Sequence, residues 1–162
     1  MATETPRAMA VTGRRTAAGP MLTLAGRITG AGLVAAMAGI HLYLWTQGYR
    51  DVPTIGPLFL VNGIVGAILT LAVLAAPARP LPIVTGATAL FTAGTLGALV
   101  LSLTVGLFGF ADSLAAPLAV ATIGVESAGV VVLAGLTALA SRSPRSPRPT
   151  GRPTWRRTRR TT

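Results

Sequence analysis

The chain has no cysteine and no lysine, a single histidine (His41) and only four acidic residues. Without cysteine there is no disulfide, no thiolate metal site and no thiol nucleophile, and the redox compartment goes unrecorded. One histidine rules out bis-histidine haem ligation within the chain. A zinc site takes at least three protein ligands, and His41, Asp51 and Glu126 show no ligand spacing. A P-loop, a dinucleotide fingerprint and a nucleophile elbow are also missing. Ser102 and His41 can be imagined as a catalytic pair, but no spacing supports it. These absences leave neither a cofactor nor an enzymatic activity to expect.

Charge is scarce as well. Only 11% of the residues are charged, against roughly a quarter in a soluble domain, and the mean hydropathy is +0.65. The solvent for most of these 162 residues, about one domain's length, is therefore lipid. All 14 basic residues are arginine. GC-rich coding explains that bias better than a need for bidentate recognition at every site. Four arginines precede residue 28 and eight follow residue 141, leaving Arg50 and Arg79 between the apolar runs. The net charge of +10 thus belongs to two tails.

What is present is a set of four apolar runs. Residues 1–22 are small, polar and basic and are expected to be a disordered arm. Arg14-Arg15 lacks the apolar follow-on of a twin-arginine signal. Ala36-Met37-Ala38 resembles a signal-peptidase site, yet the apolar run continues through it, which favours a retained helix. Within a transmembrane domain at 23–140, the spans are expected at about 28–45, 57–76, 83–107 and 115–140. Eighteen residues at about 1.5 Å each just cross a hydrocarbon core of about 30 Å. Tyr43 and Trp45 suit an interface, and Arg27 can snorkel toward the other. Pro57 fits a helix's first turn, the prolines of 77–82 mark a turn, and Asp112-Ser113 offers cap oxygens to the fourth helix. The expected fold is an all-α membrane protein, a four-transmembrane-helix bundle with disordered basic termini.

Four spans put both tails on one side, together with Arg79. Only Arg50 faces the other side, so the positive-inside rule makes both termini cytoplasmic in a bacterial inner membrane. Lipid gives leucine no reason to leave it, so small residues must let the helices approach. Gly26/Gly30 and Ala35/Gly39 have small-xxx-small spacing, and Gly63, Gly66, Gly94, Gly97, Gly124 and Gly129 offer further flat contacts.

Glu126 is the least comfortable residue. A carboxylate near the midplane costs about 2.5–3.5 kcal/mol, so it must face the bundle or a wet cavity, or be carried protonated. His41, Asn62, Ser102 and Thr122 fall at similar depth in the outer half. With Glu126 they form one candidate polar pocket, a proton or cation site in the functional reading and separate local hydrogen bonds in the structural one. Tyr49, Arg50 and Asp51 form a candidate outer-loop surface for a partner protein. An exposed ion pair there adds little stability. The tail at 141–162, with Arg156, Arg157, Arg159 and Arg160, is expected to meet anionic lipid headgroups, at about 1 kcal/mol per arginine. Nucleic acid is the rival partner for the same charge. Another membrane protein or self-association is a further candidate.

Gly39-Ile-His-Leu-Tyr-Leu-Trp45 and Gly48-Tyr-Arg-Asp-Val-Pro-Thr-Ile-Gly-Pro-Leu-Phe-Leu-Val-Asn62 resemble a segment of small four-span membrane proteins of actinobacteria. The resemblance implies the four-span layout and carries no activity. A non-enzymatic accessory or scaffold subunit is the leading expectation. The alternative is a small transporter or proton/cation-binding protein using Glu126 and His41.

Overall fold

The computed structural model describes residues 18–142. Four helices follow in order: α1 (Ala18–Thr46), α2 (Ile55–Ala75), α3 (Leu81–Thr104) and α4 (Ala119–Arg142). A 3₁₀ turn, Tyr49–Asp51, lies between α1 and α2. No strand occurs among the described residues beyond an isolated Leu107–Phe110 bridge. All four helices are long and apolar enough to cross a membrane. The protein is a four-helix integral membrane protein, with polar side chains buried among apolar ones and large aliphatic side chains on its outside. Thr85, Thr88, Thr92, Ser102, Thr122 and Glu126 are buried, while Ile83, Leu90 and Val131 are more than 70% exposed. A water-soluble chain does not display that much aliphatic surface.

α1 is the hub. It packs along α2 on one side and α4 on the other, α3 packs along α4, and α2 meets α3 only sparsely. Ala31, Val34 and Met37 of α1, Val73 of α2 and Leu133 of α4 form the buried centre. The small residues act where the helices come closest. Gly63 and Gly66 receive Leu42, Ala38 and Met37 of α1, while Gly26 and Gly30 receive Leu136 and Leu133 of α4. Gly129 sits against Thr92 and Leu33. Gly94, Gly97, Gly124 and Gly39, expected as contacts, have nothing within 4 Å.

Several boundaries depart from expectation. α1 begins at Ala18, ten residues before Ile28, so Ala18–Leu22 are helical and not part of an arm. Pro20 falls in the first turn, where proline does no harm. The extra length has a partner: Arg27 donates from Nε to the Val73 carbonyl (3.2 Å) and from Nη2 to those of Leu74 (2.6 Å) and Ala76 (2.8 Å). These are carbonyls at the end of α2, which lack intrahelical partners and carry the negative end of the helix dipole. Arg27 caps a neighbour rather than snorkelling alone. At the fourth helix, Asp112 and Ser113 do not cap. Asp112 Oδ1 accepts from the Ser113 N–H (2.8 Å), and α4 starts only at Ala119, after Pro117 and a left-handed Leu118 (φ 64°). The proline turn is shorter than expected, because Pro82 already belongs to the first turn of α3. α3 ends at Thr104, short of the expected 107: Gly106 turns left-handed (φ 82°), and Leu107 and Phe110 exchange hydrogen bonds. The arm before residue 18 and the tail after 142 lie outside the described residues, including Arg156, Arg157, Arg159 and Arg160.

Two tests follow from the packing. A Cβ at Gly56 would lie 2.5 Å from the Arg50 carbonyl oxygen, so Gly56→Ala should destabilise by about 1–3 kcal/mol. Gly39→Ala, with open space around it, should be neutral or slightly stabilising; unfolding curves in mixed micelles compare the two. By the same measurement, Arg27→Gln should cost about 1–3 kcal/mol, with Arg27→Lys recovering part of it through charge alone.

Candidate functional site

At the end of the bundle opposite Arg27, the loose seam between α2 and α3 widens into a cavity of about 380 Å³. Its wall is mostly apolar. Leu58, Val61 and Leu90 line it and are also exposed, so it opens sideways toward lipid. Four of the five residues expected to converge do so: His41 from α1, Asn62 from α2, Ser102 from α3 and Thr122 from α4 all line this cavity.

Glu126 is the exception. It is 1% exposed and lies one turn deeper than Thr122, seven residues into α4, roughly 10 Å along the helix. Thr95 lies beside it and lines the cavity, so the carboxyl stands behind the wall rather than in it. The Thr95 hydroxyl beside the carboxyl also lies 2.8 Å from the Thr92 carbonyl and 3.5 Å from Met37 Sδ. Both Glu126 oxygens lack a hydrogen-bond partner, as do Asn62 Oδ1 and Ser102 Oγ. An unpaired buried polar group costs about 1–3 kcal/mol. The buried threonine hydroxyls among the described residues are satisfied: Thr85, Thr88, Thr92 and Thr122 each donate to the carbonyl four residues back at 2.8–2.9 Å. Orphaned oxygens therefore gather at the cavity and directly behind it.

His41 donates its Nδ1 hydrogen to the Met37 carbonyl (2.9 Å), which fixes the ring and leaves Nε2 as the free nitrogen. Its ring tilts against Phe59 with centroids 5.0 Å apart. Phe59 in turn stacks on Tyr49 (4.8 Å), whose edge meets Phe110 (5.9 Å). The expected outer-loop surface therefore divides. Tyr49 turns inward as a roof, while Arg50 and Asp51 point to solvent, 58% and 78% exposed, in a loose 3.7 Å ion pair. Asp112 lines the cavity mouth, its own N–H donating to the Ser102 carbonyl (3.1 Å). Thr54, Phe108 and Leu118, the non-glycine residues with left-handed φ among those described, all lie in the connections at this end. Backbone strain of about 1–3 kcal/mol each is characteristic of sites where position matters.

No family model, curated protein or solved structure matches this chain. The site must speak through its own geometry. Sequence reasoning missed Phe59, Phe91, Thr95, Phe110 and Asp112 as lining residues. Phe91, Thr95, Ala98 and Ser102 share one helical stripe, and that spacing was the available signal. Among the described residues, no three His, Asp or Glu side chains gather as a metal site.

Partial burial, and then the nearby Asp112 charge, raises the Tyr49 phenol above its usual value. Both effects disfavour phenolate, so the folded loop holds the proton to higher pH than the unfolded chain. Stability from this contact is complete below about pH 10 and declines as pH rises through that value. In a Tyr43→Phe background, the phenolate absorbance midpoint of Tyr49 should move down in Asp112→Asn. An unchanged midpoint would separate the two residues electrostatically.

Proposed function

We propose that this is a non-enzymatic membrane protein of the bacterial cytoplasmic membrane that holds a small amphipathic molecule in the crevice between α2 and α3. What carries this reading is a cavity of about 380 Å³ that opens toward lipid between apolar residues and is also lined by His41, Asn62, Ser102 and Thr122. A purely structural seam would be more stable with apolar side chains there. A ligand with an apolar body and a polar end matches that lining. The orientation follows from arginine placement. Both ends of the described chain lie at one end of the bundle, where Gly26 meets Leu136. With the arginine-rich tails on the cytoplasmic side, the cavity belongs to the outer half of the membrane and the tails face anionic lipid.

An accessory or scaffold role is the second reading, favoured by a separate surface. Gly32, Ala35, Ala36 and Gly39 form an exposed flat strip on α1, away from its own partners. Another helix can approach such a strip closely, whether from a second copy or a different membrane protein.

The two readings part on Asn62→Leu. In a binding site the orphaned amide is retained for the ligand, so its removal should raise stability by about 1–2 kcal/mol and abolish retention of a co-purifying small molecule. Mass spectrometry of protein extracted in mild detergent reads the second effect. A scaffold would carry no specific small molecule in either form.

A further inference from the structure

We infer that the crevice selects a lipophilic monocation, an organic amine or onium ion with an apolar body, held by Asp112 and the aromatic wall. This rests on the reading of the crevice as a binding pocket and adds the sign of the ligand's charge.

Three independent features agree on that sign. The first is the distribution of ionisable groups. Asp112 lines the mouth and Glu126 stands behind the wall, while no arginine among the described residues lines the cavity. Arg50, the nearest along the chain, is 58% exposed and directed to Asp51. Arg27 is committed to the end of α2, and Arg79 and Arg142 lie at the same far end of the bundle. The nitrogen base in the wall is His41, whose Nδ1 hydrogen is already given to Met37. An anion would meet Asp112 with no counter-charge from a described arginine.

The second feature is aromatic. Phe59, Phe91, Phe110 and His41 contribute to the wall, and Tyr49 backs Phe59 at 4.8 Å. Ring faces carry negative quadrupole charge and attract cations, more strongly where water is excluded. The third is the placement of unpaired oxygens. Asn62 Oδ1 and Ser102 Oγ are buried without hydrogen-bond partners on residues of the wall, so their partial negative charges favour a cation in the crevice.

The test uses three probes of similar bulk: the tetraphenylphosphonium cation, the tetraphenylborate anion and neutral triphenylmethanol. Equilibrium dialysis is run on the full chain in nanodiscs of zwitterionic lipid. Only binding that disappears in Ala98→Phe, which fills the crevice, is counted. The expected result is saturable tetraphenylphosphonium binding about tenfold or more tighter than triphenylmethanol, with no crevice-dependent tetraphenylborate binding. Asp112→Asn should weaken the cation about tenfold and leave the neutral probe unchanged, while Asp112→Glu restores the cation. Equal crevice-dependent binding of cation and neutral probe, or preference for the anion, overturns the charge assignment while leaving the pocket standing. Absence of crevice-dependent binding by every probe removes the pocket as well. Gly94→Leu, which narrows the same crevice from a position with open space around it, replaces Ala98→Phe as the reference if that variant fails to fold.

Discussion

Helices meeting in a bilayer gain nothing by hiding leucine, since the lipid is as apolar as the partner. Association has to come from closeness, and closeness depends on what each helix lacks at the contact. α1 supplies that condition twice. Toward α4 it presents Gly26 and Gly30, into which Leu136 and Leu133 settle; toward α2 it sends Ala38, Met37 and Leu42 into Gly63 and Gly66. The remainder of the architecture follows from these two seams. α3 is attached through α4, and α2 through α1, so the side where α2 faces α3 is the one left without a close-packed contact.

The two ends of the bundle treat polar groups differently. Near Arg27, every threonine hydroxyl along α3 from Thr85 to Thr92 returns to a backbone carbonyl, and Thr137 bridges to Thr85 (2.8 Å). Toward the loops the pattern relaxes: oxygens of Asn62, Ser102 and Glu126 go unpaired, and three non-glycine residues take left-handed backbone. Unsatisfied groups and strain oppose folding, so they persist only where the tightly packed half can carry them.

The four crossings were legible because lipid imposes length and hydropathy directly on sequence. Depth was legible too: counting residues from Trp45 and Pro57 brought His41, Asn62, Ser102 and Thr122 to one level, where the cavity lies. Rotation was not. Whether Glu126 points into the cavity or behind it depends on a few tens of degrees about α4, and Thr95 and Thr122 take the wall. The early start of α1 was hidden because Gly19-Pro20 reads as a breaker, while the reason for continuing is a contact with α2 almost fifty residues away. Asp112 read as a cap because nothing local announces that Pro117 and Leu118 defer α4 to Ala119. Phe59 and Phe91 sit in uninterrupted apolar runs, where an aromatic ring facing lipid and one facing a cavity look alike.

The guanidinium of Arg27 reaches only as far as residue 76. A nascent chain therefore holds everything needed to lock α1 onto α2 before α3 has been synthesised. Such a hairpin can leave the translocon as a finished unit, with its most exposed carbonyls already covered. The second hairpin has α1 to pack against through α4, and its α3 meets α2 only sparsely.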